Sequence, residues 1–103
     1  MIRVLAFVSL KPQTLASALE CYRVLVPKVM ANEPGCIEYT PTVDCDLGLP
    51  NQEMHPDTIV VTERWRSIED FRAHLVAPHS VEFRAAIKEY AEKIVVKVTQ
   101  RAL

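Results

Sequence analysis

Only two glycines occur in 103 residues, Gly35 and Gly48, so no glycine-rich loop is available to cradle a phosphate or a dinucleotide. Nicotinamide and flavin are therefore not expected. The three cysteines, Cys21, Cys36 and Cys45, are odd in number and lack the close-paired spacings of zinc sites, which argues against a disulfide framework and a structural metal alike. A reducing compartment, the cytoplasm, is the expected location. There is no basic surplus either: the formal net charge is −1, and neutralising a phosphate backbone needs the opposite balance. Nucleic acid is disfavoured as a partner. No stretch approaches the roughly 20 apolar residues of a membrane span, so membrane insertion is not expected. The apolar run Val4 to Val8 behind Arg3 faintly imitates a signal peptide, but it is too short and Lys11-Pro12 interrupts it.

Side-chain chemistry is thin as well. His55, His74 and His79 fall on different predicted elements without His-x-x-x-His spacing, and no metal site is expected. Ser80 follows His79, but adjacent residues do not face each other and no Gly-x-Ser-x-Gly elbow exists, so acyl transfer drops out.

What remains is an ordinary globular composition, 50% hydrophobic and 24% charged, of a length that suits one domain over residues 1–103. Ile2 to Leu10 is nearly continuously apolar and rich in β-branched residues, as in a central strand covered on both faces. From Thr14 to Asn32 apolar residues recur at helical spacing. Pro27 lacks an amide and should kink or split that helix, and Glu33-Pro34-Gly35 should end it. Cys36 to Val43 reads as a strand that Pro41 consigns to an edge. Asp46 to Pro56 is a long irregular connection, expected to border a binding cavity or a partner subunit. Thr58 to Arg66 is the third strand.

At its end Ile59, Val61, Glu63 and Trp65 share one face by the period of two. Ser67 with Asp70 resembles a capping box and opens a helix. Ile68, Phe71 and Leu75 form its apolar stripe, expected to face the sheet, with His74 at the flank beside Phe71. Pro78 suits the first position of another helix. In it Phe83, Ile87, Tyr90 and Ile94 keep helical spacing, and Val95 to Thr99 reads as a last strand. The order β-α-β-β-α(α)-β is the ferredoxin-like split βαβ arrangement of the α+β class, a four-stranded antiparallel sheet with helices on one face. The uncovered apolar face asks for a second copy, giving a homodimer built as a dimeric α/β barrel.

A carboxylate, an indole and an imidazole thus converge on a small apolar space ringed by Tyr39, Glu63, Trp65, His74 and His79, suited to a flat, weakly acidic organic ligand. The same residues also read as a core Trp, a charge near a strand edge and a half-buried His.

Several segments resemble a known family: Asn32-Glu33-Pro34-Gly35-Cys36-Ile37-Glu38-Tyr39, Glu63-Arg64-Trp65 with Ser67, and Ala73-His74-Leu75 with Pro78-His79. They are similar to the antibiotic biosynthesis monooxygenases, dimeric ferredoxin-like proteins, over nearly the whole chain. Tyr39 to Cys45, Gly48, Gln52, Met54, Pro56-Asp57 and Ile59-Val60 resemble the bacterial quinol monooxygenase branch. The resemblance implies a cofactor-independent monooxygenase that oxidises a hydroquinone or similar phenol with O₂. His74 is then the expected base, and Glu63 its orienting or charge-balancing carboxylate. Tyr39, Trp65, His79, Phe71 and Phe7 are the expected substrate contacts. The iron-binding His of the haem-degrading relatives aligns with Ile87 and their first-strand Asn with Leu5, so haem cleavage is not implied. Two readings stay beside this one. The first is an isomerase or tautomerase of a small polar or phosphorylated metabolite, with Arg64, Arg66, Arg72 and Arg84 as an anion site. The second is a non-catalytic module that binds aromatic ligands.

Overall fold

The computed structural model describes all 103 residues. Its elements are β1 (Ile2–Leu10), α1 (Leu15–Asn32), β2 (Cys36–Thr42), β3 (Thr58–Trp65), α2 (Ile68–Val76), α3 (Pro78–Ile87) and β4 (Ala91–Gln100). The four strands pair antiparallel in the order β2-β3-β1-β4. This is the expected ferredoxin-like arrangement, with β1 central and the proline-bearing β2 at an edge. Pro41 stands opposite Val61 and costs the sheet little, because an edge residue has one side that needs no donor.

Register decides which residues meet the helices. Ile2, Val4, Ala6 and Val8 lie opposite Trp65, Glu63, Val61 and Ile59, and opposed residues of an antiparallel pair share a face. On that face the strand residues join Ala18, Tyr22, Leu25 and Val29 of α1, Phe71 of α2 and Ile87 of α3 in one core. The second face of β1 carries Leu5 and Phe7, both only partly buried, so no helix covers this strand from behind. The expectation of a strand covered on both faces therefore fails within one chain.

Other local expectations are corrected by packing. Pro27 lies inside α1 without splitting it, since losing one backbone bond is outweighed by a helix face buried along its length. In α2 only Phe71 and His74 are buried, while Ile68 and Leu75 are 47% and 42% exposed. The inward side of α2 is thus narrower than its apolar stripe. Tyr90 and Ile94 do not extend α3, which ends at Ile87; β4 starts at Ala91, because its β-branched run finds a partner in β1.

Two junctions position the site. Ser67 caps α2, its Oγ accepting from the Asp70 amide at 3.1 Å and donating to Asp70 Oδ2 at 2.9 Å. The Gly35 carbonyl accepts from the Arg66 amide at 2.9 Å, and a Cβ at Gly35 would collide with the Asp70 side chain. This close approach brings the end of α1 against the start of α2. Pro78 opens α3 as expected. The Val43 to Asp57 connection is braced by its own side chains, with Gln52 Nε2 donating to the Cys45 carbonyl at 2.6 Å and Asp44 Oδ2 accepting from the His55 amide at 2.6 Å.

Candidate functional site

His74 is placed by α2 so that its ring packs among aromatics. Ring centroids lie 4.7 Å away for Trp65, 5.4 Å for Tyr39 and 6.2 Å for Phe71. The residue is 6% exposed. Burial pulls its imidazole pKa below the ordinary value, opposed by the hydrogen bond and charge of Glu33. Neutral imidazole is the favoured form, and such a ring can accept a proton.

The hydrogen bonds of His74 differ from those expected. Nδ1 lies 2.8 Å from Glu33 Oε2 and 3.3 Å from Ser80 Oγ. The same Glu33 oxygen lies 2.6 Å from His79 Nε2. With Glu33 ionised, the carboxylate accepts from both rings, which fixes the proton of neutral His74 on Nδ1 and leaves the lone pair on Nε2. Nε2 carries no protein hydrogen bond, and no buried polar side-chain atom is both unpaired and sealed. That nitrogen is therefore accessible, and His74 lines the cavity between the sheet and the helices.

The cavity lies between the sheet and the helices, measures about 110 Å³, and is lined among others by Tyr22, Tyr39, Glu63, Phe71, His74 and Ser80. Trp65 Nε1 donates to Glu63 Oε1 at 2.9 Å. Glu63 is 5% exposed, and burial pushes its carboxyl up to about 7 despite that bond. The orienting carboxylate of His74 is accordingly Glu33 and not Glu63, which belongs to Trp65. Burial also raises both tyrosine hydroxyls of the lining, so they are neutral donors.

The other expected contacts divide. Tyr39 and Phe71 line the cavity beside His74. Trp65 is fully buried and stands as a wall, with one side on a separate open cleft of about 550 Å³. His79 lines that cleft and not the cavity, because it follows the Pro78 break on α3. Phe7 is on the wrong side of the sheet: it pairs with Val60 and Val95 on the helix-free face, so it cannot touch a ligand beside His74. Nor does the 46–56 connection reach the cavity. The four arginines do not assemble into an anion site. Arg64 pairs with Glu38 at 2.9 Å on the helix-free face, Arg66 and Arg72 are exposed, and Arg84 donates to the Leu75 carbonyl at 2.6 Å.

Glu33, Ser80 and Tyr22 were not among the expected site residues. Only Glu33 carried a local signal, because a carboxylate at the C-terminal end of a helix opposes the macrodipole and calls for a compensating partner. Glu33, His74 and His79 also gather three donor atoms within 4.8 Å, a cluster that spacing along the chain did not suggest. The donor types suit a divalent metal, but ligands about 2.1 Å from a tetrahedral ion stand about 3.4 Å apart. Contacts of 2.8 and 2.6 Å to one shared oxygen are hydrogen-bond separations.

Residues 1–86 match the antibiotic biosynthesis monooxygenase family. The chain is 37% identical over 84 residues, 82% of its length and 80% of the relative's, to a protein of Escherichia coli named "Probable quinol monooxygenase YgiN". A solved structure named "Putative antibiotic biosynthesis monooxygenase from Nitrosomonas europaea" superposes with a TM-score of 0.84 at 16% identity, covering 100% of both chains. Rv0793 from Mycobacterium tuberculosis superposes with a TM-score of 0.80 at 22% identity, over 97% of this chain and 93% of that one; at such identities the likeness concerns the fold. By the extent of the sequence match, the chain belongs to the antibiotic biosynthesis monooxygenase family.

Proposed function

We propose that this protein oxidises a hydroquinone or similar phenol with O₂ and needs no metal or organic cofactor to do so. The observation that carries the reading is His74, with Nδ1 tied to Glu33 at 2.8 Å, the opposite nitrogen free of protein partners, and the residue lining a cavity shared with Tyr39 and Glu63. The likeness to a relative named as a quinol monooxygenase supports the substrate class.

The chemistry explains why a base suffices. A neutral hydroquinone reduces O₂ slowly, whereas its anion is a much stronger reductant, so the first task is to move the phenolic proton to His74 Nε2. The ring then gives electrons to O₂, oxygen bonds to a ring carbon, and loss of water leaves the hydroxyquinone. In sum, hydroquinone and O₂ become hydroxyquinone and H₂O, with two substrate hydrogens ending in water. Tyr39 and Tyr22, held neutral by burial, are hydrogen-bond donors to the oxygens that gain charge.

Size narrows the substrate. A cavity of about 110 Å³ is smaller than the roughly 150 Å³ that admits benzene. The space suits a single ring, which sits fully beside His74 when a lining side chain such as Leu75, 42% exposed, yields. In an oxygen electrode, a panel of monocyclic hydroquinones should produce enzyme-dependent O₂ uptake with equimolar hydroxyquinone. Binding without O₂ uptake would identify a sequestering module, and ligand turnover without O₂ uptake an isomerase.

The working unit in this proposal is a homodimer. Leu5, Phe7, Val60 and Val95 form an apolar centre on the face that no helix covers, and Val95 of β4 is 45% exposed there. Such patches on a small chain mark an association surface. Sedimentation at micromolar concentration should give twice the chain mass of 11.7 kDa; a monomer would refute the assembly.

A further inference from the structure

Resting on the reading of His74 as the base, we propose that Glu33 and His79 form a proton path between the cavity that His74 lines and the cleft that His79 lines, with His79 as its outer terminus. The geometry is continuous. His74 borders the cavity, its Nδ1 reaches Glu33 Oε2 at 2.8 Å, and that oxygen reaches His79 Nε2 at 2.6 Å. His79 borders the cleft of about 550 Å³ together with Lys28 and Glu82. Its Nδ1 has no protein partner and is not sealed from solvent. The side chains of His74, Glu33 and His79 are 7%, 11% and 11% exposed, so bulk water does not shunt the path along its length.

Each transfer can be followed atom by atom. The phenolic proton bonds to His74 Nε2 as the proton on Nδ1 leaves for Glu33 Oε2. At rest His79 donates Nε2–H to Glu33; its ring first exchanges through cleft water to the Nδ1–H form, Glu33 then passes its proton to the vacated Nε2, and the Nδ1 proton goes to water in the cleft. The outward transfer leaves the proton of His74 on Nε2 and returns that of His79 to Nε2. The reaction as a whole releases no proton, however, so one must return when the reduced oxygen is protonated. The return transfer runs inward along the same atoms and resets both rings. The path adds a benefit that His74 alone lacks: charge does not remain on a buried imidazolium, which the desolvated setting disfavours. Glu33 and His79 act through His74 and are positioning residues.

Two variants and two readouts test this. His79→Gln retains a nitrogen donor toward Glu33 but cannot relay a proton. It should lower kcat at least about 10-fold with KM nearly constant, and enlarge the solvent deuterium isotope effect. His79→Ala should lose a similar factor and recover several-fold on adding imidazole, which the cleft has room to admit. Independently of any substrate, NMR exchange of the His74 ring proton should be at least about 10-fold slower in His79→Gln than in the parent protein. Unchanged or faster exchange, an undiminished kcat, or a loss that imidazole does not relieve would each overturn the path. If the parent protein consumes no O₂ with any quinol, the function proposed above falls, and the exchange experiment alone still decides the path.

Discussion

Replacing His74 by alanine should lower turnover at least about 10²-fold and as much as about 10⁴-fold, the range of a positioned general base, while ligand affinity changes little. Proton removal belongs to the transition state, so its loss acts on kcat and leaves ground-state contacts from Tyr39 and Phe71 in place. The variant should also be less stable, by about 1 to 3 kcal/mol, since a buried side chain is removed and Glu33 loses one of its two donors. Those two effects must be read on the same preparation. A purely packing role predicts the stability loss with near-normal turnover in the folded fraction, and that outcome would end the catalytic claim.

The pH profile gives a second view of the same group. A base must be unprotonated, so activity rises as pH rises through the His74 titration. Burial holds that titration below the ordinary imidazole value of 6.5, and the rise should therefore be complete by neutral pH. An activity limb centred above 6.5 would point to a different group.

The strand face that ends in Trp65 could be read from alternation alone, because side chains on a strand have only two directions and Ile59, Val61, Glu63 and Trp65 are all buried as that period requires. Alternation does not say which face of β1 meets helices. Val4 and Phe7 were equally eligible, and the choice follows from the pairing of Val4 with Glu63. Helical spacing was informative where a helix packs, as in Ala18, Tyr22, Leu25 and Val29. It misled at Ile94, where a strand partner supplied by β1 overrides a weak periodic signal.

The place of His74 beside the apolar stripe was legible and its hydrogen-bond partner was not. His74 stands next to Phe71 on one helix, a local relation that a turn-by-turn count captures. Glu33 meets His74 and His79 across sequence separations of 41 and 46 residues, set by the Gly35 approach to Asp70 and the Pro78 break. Neither separation is encoded in any spacing. Glu63 was the natural choice of orienting carboxylate because it is near His74 in sequence and shares a face with Trp65, yet its bonding partner is the indole. The β1–β4 pairing likewise sets Phe7 beside Val95 on a face that no helix of the chain covers.

Glu63→Gln should remove a pH dependence of stability worth about 3 kcal/mol. In the parent protein the carboxyl is pushed from an ordinary 4.5 up to about 7 by burial, so the folded state favours its protonated form. The sign follows from linkage: this contribution is complete below 4.5, declines as pH rises from there, and is lost once pH has passed the folded value near 7. Above that, the native state holds an ionised carboxylate in an apolar wall. Glutamine is nearly isosteric, keeps an oxygen to accept from Trp65 Nε1, and has no charge to bury. The variant should therefore match the parent near pH 5 and exceed it progressively up to pH 8. His74 contributes the opposite slope, because a buried imidazole with a lowered pKa destabilises the fold as pH drops below 6.5. That slope is common to both proteins and cancels in their difference, provided protein concentration is held equal in case of assembly. Urea unfolding of parent and variant at pH 5 and pH 8 measures the effect directly. Equal differences at the two pH values would mean that Glu63 ionises at its ordinary value and that the wall beside His74 is wetter than its 5% exposure implies.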